Sequence, residues 1–148
     1  MSDINELYQE LIIDHGRHPR NFAKMPEADL QKEGFNPLCG DRLTLFLRVK
    51  NDIIESITFD GAGCAISIAS ASLLTESLKG KSFSEAKKLF HVFHSVLIGK
   101  ESADVNVLGK LSAFKGVCDY PMRVKCATLA WHTMIAAIEH TSGHVTTE

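Results

Sequence analysis

Long apolar runs, a surplus of charge and closely spaced cysteine pairs are all missing from this chain. The longest weakly polar run, residues 65–74, is broken by serines. It falls far short of the roughly 20 residues needed to cross a bilayer as a helix, so no membrane partner is expected. Sixteen basic residues against 18 acidic ones leave no broad basic field, which argues against nucleic acid as a partner. The opening MSDINELYQE has neither a positive n-region nor an apolar h-region, so a secretory leader is not expected and a cytoplasmic location is. In that reducing setting four cysteines are expected to be thiols or metal ligands rather than disulfides. With no repeat, linker or low-complexity tract, the 148 residues are expected to form one domain, 1–148.

What is present is periodic. Ile4, Leu7, Tyr8, Leu11 and Ile12 recur at helical spacing and predict an amphipathic helix stopping near Gly16 and Pro19. A polar connector running through HPRNF to Pro37 follows. LTLFLRV from Leu43 and IIESITF from Ile53, separated by the turn residues Asn51 and Asp52, read as a β-hairpin. After Gly61 and Gly63, the Ala- and Ser-rich AISIASASLLTESLKG predicts a buried helix ending at Gly80, its small side chains implying close approach of another element. A helix over 84–98 is predicted next, with Ser82 or Ser84 as N-cap and Glu85 in its first turn. Residues 105–114 read as a short helix or an irregular segment, and Pro121 starts a long helix reaching about His140.

Three cysteines fall at predicted element starts: Cys39 in the turn NPLCGDRL, Cys64 opening one helix and Cys126 in the first turns of another. Unpaired amides at a helix N-terminus favour thiolate, which is both nucleophile and metal ligand. Asp41, two residues beyond Cys39, brings a carboxylate to the same place. Three thiolates and a carboxylate suit four-coordinate zinc or a cysteine-rich cradle for iron and sulfide. Separations of 25 and 62 residues lack the local signature of a zinc finger, however. Spacing by itself leaves a metal or sulfur site and ordinary buried thiols both open.

NPLCGD around Cys39, GAGCAISIASAS around Cys64 and RVKCATLAW around Cys126, with HGRHPRNF near the N-terminus, resemble the U-type family of iron–sulfur cluster assembly proteins, IscU, SufU and the NifU N-terminal domain. The resemblance covers nearly the whole chain and leans to the SufU branch. Lys125 stands where IscU proteins carry a histidine, the segment between Cys64 and Cys126 is long, with an extra stretch over 81–103, and YPMRVK replaces the chaperone-recognition motif.

The resemblance implies an α+β fold, SufE/NifU-like, with an antiparallel sheet of about three strands and helices on one side. It implies a metal and cofactor site made of Cys39, Asp41, Cys64 and Cys126. In that reading zinc holds the site, Cys39 accepts sulfur from the persulfide of a pyridoxal-phosphate cysteine desulfurase of SufS type, and downstream iron–sulfur assembly or acceptor proteins receive it. The alternative reading is a scaffold that builds and transfers a transient [2Fe–2S] cluster. The chain is a sulfurtransferase in the first case and a non-enzymatic scaffold in the second, while a purely structural zinc domain transfers nothing.

Other candidates read more plainly. Cys118 is expected to be an ordinary loop thiol, and His91, His94 and His132 a packed or solvated set rather than ligands. His15, Arg17, His18 and Arg20 read either as a docking patch or as a solvated connector. Arg123, three residues before Cys126, reads as a partner for thiolates or persulfide, or as a surface ion pair.

Overall fold

The structure, a computed structural model, describes residues 2–100, 105–139 and 145–146. Helix α1 (Ser2–Arg17) precedes three antiparallel strands, β1 (Leu30–Asn36), β2 (Asp41–Lys50) and β3 (Ile53–Ala62). Helices α2 (Ala65–Leu78) and α3 (Phe83–Leu97), a 3-10 segment (Val105–Asp119), helix α4 (Pro121–Ile138) and a two-residue strand β4 (Val145–Thr146) follow. The sheet order is β3-β2-β1-β4, with β4 parallel to β1. The expected three-stranded antiparallel sheet with helices is therefore present, extended by one short parallel strand. Among the described residues no helix is long and apolar enough to cross a membrane.

The hairpin forms where period-2 alternation predicts it. Leu43, Leu45 and Leu47 on β2 are fully buried on one face, and Asp41 stands first in that same inward row. Asn51 and Asp52 both adopt positive φ, 53° and 61°, the backbone that a two-residue hairpin turn needs. A register shift between Arg48 and Val49 adds a residue to β3, so Ile54 and Ile57 both reach the interior although three positions apart. Strand β1 is a correction: the connector expected to run to Pro37 pairs with β2 from Leu30 to Asn36. Its buried positions are Lys32, Gly34 and Asn36, so no apolar alternation announces it. Gly34 is required there, because a Cβ would run into Thr133 Oγ1 and lie 3.1 Å from Leu129 Cδ1 of α4.

Every residue of α2 from Ser67 to Thr75 is buried. Its small residues admit α4 closely, as expected: Ser70 Oγ donates to the Ala127 carbonyl at 2.5 Å and accepts from Trp131 Nε1 at 3.1 Å. Helix α3 begins one residue before its predicted start, with Ser82 and Glu85 closing a full capping box. The segment over 105–114 belongs to the 3-10 helix, which Gly109 interrupts at φ 52° and ψ −124°. In the connector, Asn21 and Ala23 hydrogen-bond Phe59 and so pair with the outer edge of β3. His15 corrects both readings given for it, docking patch and solvated connector: it is 1% exposed, its Nδ1 2.7 Å from Ser72 Oγ. Arg20 pairs with Asp14 at 2.6 Å.

Candidate metal and sulfur site

Residues 37–40 join β1 to β2, and the Asn36–Asp41 pair closes that loop. Gly40 N donates to the Asn36 carbonyl at 2.8 Å, and Gly40 sits at φ 72°, which excludes most L side chains without strain. The turn presents Cys39 half-buried at its tip, with Leu38 51% exposed beside it. Inward alternation on β2 then places Asp41 at zero exposure beneath the turn.

Asp41 ties the turn to α2. Its Oδ1 accepts from Cys64 N at 2.7 Å, and its Oδ2 lies 3.8 Å from Cys64 Sγ. Cys64 is the N-cap of α2, its sulfur accepting from Ser67 N at 3.5 Å, so it does meet the free amides of a helix start. Gly63 leaves the space: a Cβ there would stand 2.7 Å from Asp41 Oδ1.

Cys126 comes from α4. Its sulfur lies 3.1 Å from Cys39 Sγ and accepts from Asn36 Nδ2 at 3.6 Å. Cys39, Asp41 and Cys126 each offer one ligand atom within 4.8 Å of the others. Cys64 falls outside that mutual set and joins it through Asp41. Four candidate residues, 87 positions apart at the extremes, thus gather where a turn, a helix cap and a second helix meet.

The expectation that Cys126 enjoys a helix start fails. It is the sixth residue of α4 and completely buried, beyond the first four amides that a helix leaves free. Burial first, then the Cys39 hydrogen bond, the Cys64 charge and hydrogen bond and finally the Asp41 charge push its thiol far above the usual cysteine range. A buried cluster of like-charged donors of this kind is relieved by a cation that they share. The donor types fit a four-coordinate soft-to-borderline ion such as zinc. Bonds near 2.3 Å set sulfur–sulfur edges of about 3.8 Å in a tetrahedral thiolate site. The 3.1 Å Cys39–Cys126 approach is therefore short of that edge by about 0.7 Å.

The remaining candidates stay apart from this cluster. Cys118 Sγ faces the Asp119 carboxylate at 3.8 Å. His94 and His132 pack against Phe90 in an aromatic group, the two imidazoles edge-to-face with centroids 5.7 Å apart, and burial lowers the pKa of both. Arg123 is exposed and makes no ion pair among the described residues. Sequence reasoning missed Asn36, buried with no exposure and in contact with both Asp41 and Cys126. The available signal was an Asn directly before Pro37, a turn-starting residue whose amide also carries donors.

Three thiols around a buried carboxylate, at one end of a helix-backed antiparallel sheet, form a thiol-rich cluster on an α+β fold, of which Cys39, Asp41 and Cys126 are a candidate metal-binding group. The chain belongs to the family of NifU-like N terminal domains, which matches residues 7–140. It is 37% identical over 142 residues to the zinc-dependent sulfurtransferase SufU of Bacillus subtilis, covering 96% of each chain. Against the iron–sulfur cluster assembly scaffold protein IscU of Streptococcus pyogenes the identity is 35%, covering 96% of this chain and 89% of that one. The solved structure of FiSufU from Fervidobacterium islandicum superposes with a TM-score of 0.85 at 38% identity, over 90% of this chain and 98% of that one.

Proposed function

We propose that this chain, as a single domain over 1–148, is a zinc-bound sulfur acceptor in iron–sulfur cluster assembly, with Cys39 as the thiol that takes sulfur from a cysteine desulfurase. The observation that carries the reading is the asymmetry of the cluster. Cys39 rides half-buried on a short glycine-containing turn, whereas Cys64 caps α2 and Cys126 is sealed inside α4. The turn is the element that moves at least cost to the core. Identity to a zinc-dependent sulfurtransferase over 96% of both chains supports the same choice.

Cys39, Asp41, Cys64 and Cys126 would hold the zinc, which supplies deprotonated thiols at neutral pH and protects them from oxidation. In the transfer step, the Cys39 thiolate attacks the outer sulfur of the donor persulfide. The donor sulfur–sulfur bond breaks, the donor cysteine leaves as thiolate, and Cys39 becomes the persulfide, so neither oxidant nor reductant is consumed. Asp41, held by Cys64 N and by Asn36, stays with the buried donors while the turn swings. A pyridoxal-phosphate cysteine desulfurase of SufS type supplies the sulfur, downstream assembly or acceptor proteins receive it, and the cytoplasm is the expected setting.

The second reading is a scaffold whose cargo is a transient [2Fe–2S] cluster. It is favoured by the carboxylate in the ligand set, since an oxygen donor holds iron less firmly than a thiolate and suits release. Purification without added metal, followed by metal analysis, separates the two. About one zinc per chain is expected, lost in the combined Cys39→Ser, Cys64→Ser and Cys126→Ser variant. Incubation with desulfurase and cysteine and mapping of persulfide by mass spectrometry should then place the first sulfur on Cys39. Sulfur arriving first on Cys126 or Cys64, or accepted at the parent rate by zinc-loaded Cys39→Ser, overturns the assignment.

A further inference from the structure

Asn36 is a non-ligand side chain in contact with two of the candidate ligands, and every polar atom of its amide is engaged. Nδ2 donates to Asp41 Oδ2 at 3.4 Å and to Cys126 Sγ at 3.6 Å, which uses both of its hydrogens. Oδ1 accepts from Leu38 N at 3.3 Å, and the backbone carbonyl accepts from Gly40 N at 2.8 Å. The amide cannot be reversed, because Leu38 N requires an acceptor and the Asp41 carboxylate a donor. One residue, with no exposure, therefore grips the Cys39 turn at two points and the buried ligands at two others.

We propose that Asn36 is a positioning residue for the ligand set: its amide fixes Asp41 and Cys126 to the β1 framework, so that these donors stay convergent when the Cys39 turn moves. The proposal rests on the reading of this cluster as a metal site. A carboxylate and a thiolate repel each other, and the two hydrogens of one amide between them hold both at a set separation without adding charge. The neighbouring elements do not duplicate this: Ser67 N serves Cys64 and Cys64 N serves the other Asp41 oxygen. Cys39 receives a sulfur contact from Cys126 in place of an amide bond, which leaves it the freest of the three thiols.

Two substitutions separate this role from simple turn formation. Asn36→Asp keeps the shape and the acceptor for Leu38 N, and aspartate starts such turns as well as asparagine does. It replaces both ligand-facing hydrogens with an oxygen. Asn36→Ala removes the donors without adding charge. Zinc affinity, measured by competition with a chromophoric chelator, should fall about 10–100-fold in both, the usual cost of losing a partner that orients metal ligands. Cobalt(II) loaded in place of zinc should show altered sulfur-to-metal charge-transfer bands, while circular dichroism of the metal-free variants matches the parent. If Asn36→Ala does not fold without metal, Asn36→Asp decides alone. Zinc affinity of Asn36→Asp within twofold of the parent, with an unchanged cobalt spectrum, overturns the positioning role and leaves the metal site standing. A parent chain that retains no zinc overturns the metal reading itself.

Discussion

Replacing Gly63 by alanine tests how tightly Asp41 is confined. The new methyl would stand 2.7 Å from Asp41 Oδ1 and 3.1 Å from its Cβ and Cγ, closer than real Cβ contacts come. Either the carboxylate stays, and the site carries an overpacking cost of about 1–3 kcal/mol, or it moves and forfeits the 2.7 Å bond from Cys64 N. A hydrogen bond to a charged group contributes about 1.5–3 kcal/mol, so both routes lead to a loss of about 2 kcal/mol. Alanine offsets part of this by stiffening the unfolded chain, typically about 0.4–1 kcal/mol. The net, about 1–2 kcal/mol, corresponds to a melting temperature roughly 3–6 °C lower for a domain of this size. Calorimetry of the reduced, metal-free protein reads it directly. The decisive control is the same substitution in an Asp41→Ala background, where the clashing carboxylate is gone and the penalty should vanish. A Gly63→Ala protein that melts no lower than the parent, or an equal drop in both backgrounds, refutes the reasoning.

Two further outcomes follow from the geometry. Mild oxidation of metal-free protein should join Cys39 to Cys126 first, because their sulfurs need move only about 1 Å from 3.1 Å to bond, while Cys118 stays a free thiol; peptide mapping that finds Cys64 or Cys118 in the first cross-link contradicts this. Burial foremost, then the Arg20 charge, holds the His15 pKa below its ordinary value of about 6.5. The unfolded chain therefore binds the proton first as pH falls, so stability is complete above about pH 7 and declines through the ordinary histidine range toward the lower folded pKa. Burial gives His94 and His132 the same sign. His15→Gln should flatten the fall in melting temperature between about pH 7.5 and 5, and an unchanged slope would assign the pH dependence to other groups.

The parts of the fold that were legible are those where one physical rule dominates. Alternation in LTLFLRV, the positive-φ pair Asn51–Asp52 and the capping residues Ser82 and Glu85 each specify their local structure with little help from elsewhere. Strand β1 was hidden because its inward row is Lys32, Gly34 and Asn36. Those residues are chosen by what approaches them, a helix at Gly34 and a ligand cluster at Asn36, rather than by hydrophobicity. His15 was misread for a related reason: its burial depends on Ser72, 57 residues away. Within the site, the placement of Cys39, Cys64 and Asp41 could be anticipated from turn and cap chemistry. The depth of Cys126 could not, since it depends on how closely α4 lies against the sheet.

That closeness has a gauge. The backbone of β1 meets α4 at Gly34, opposite Thr133, where a missing side chain acts as the thinnest possible spacer. Thr133 lies seven residues beyond Cys126 on the same helix, a span of about 10 Å along a nearly rigid rod. The separation between the two sulfurs at the turn is thus calibrated remotely as well, by layer thickness, in addition to the Asn36 amide that touches Cys126. A methyl inserted at 34 would act as a shim under the rod, tilting the buried thiol away from its partner without altering a single candidate ligand.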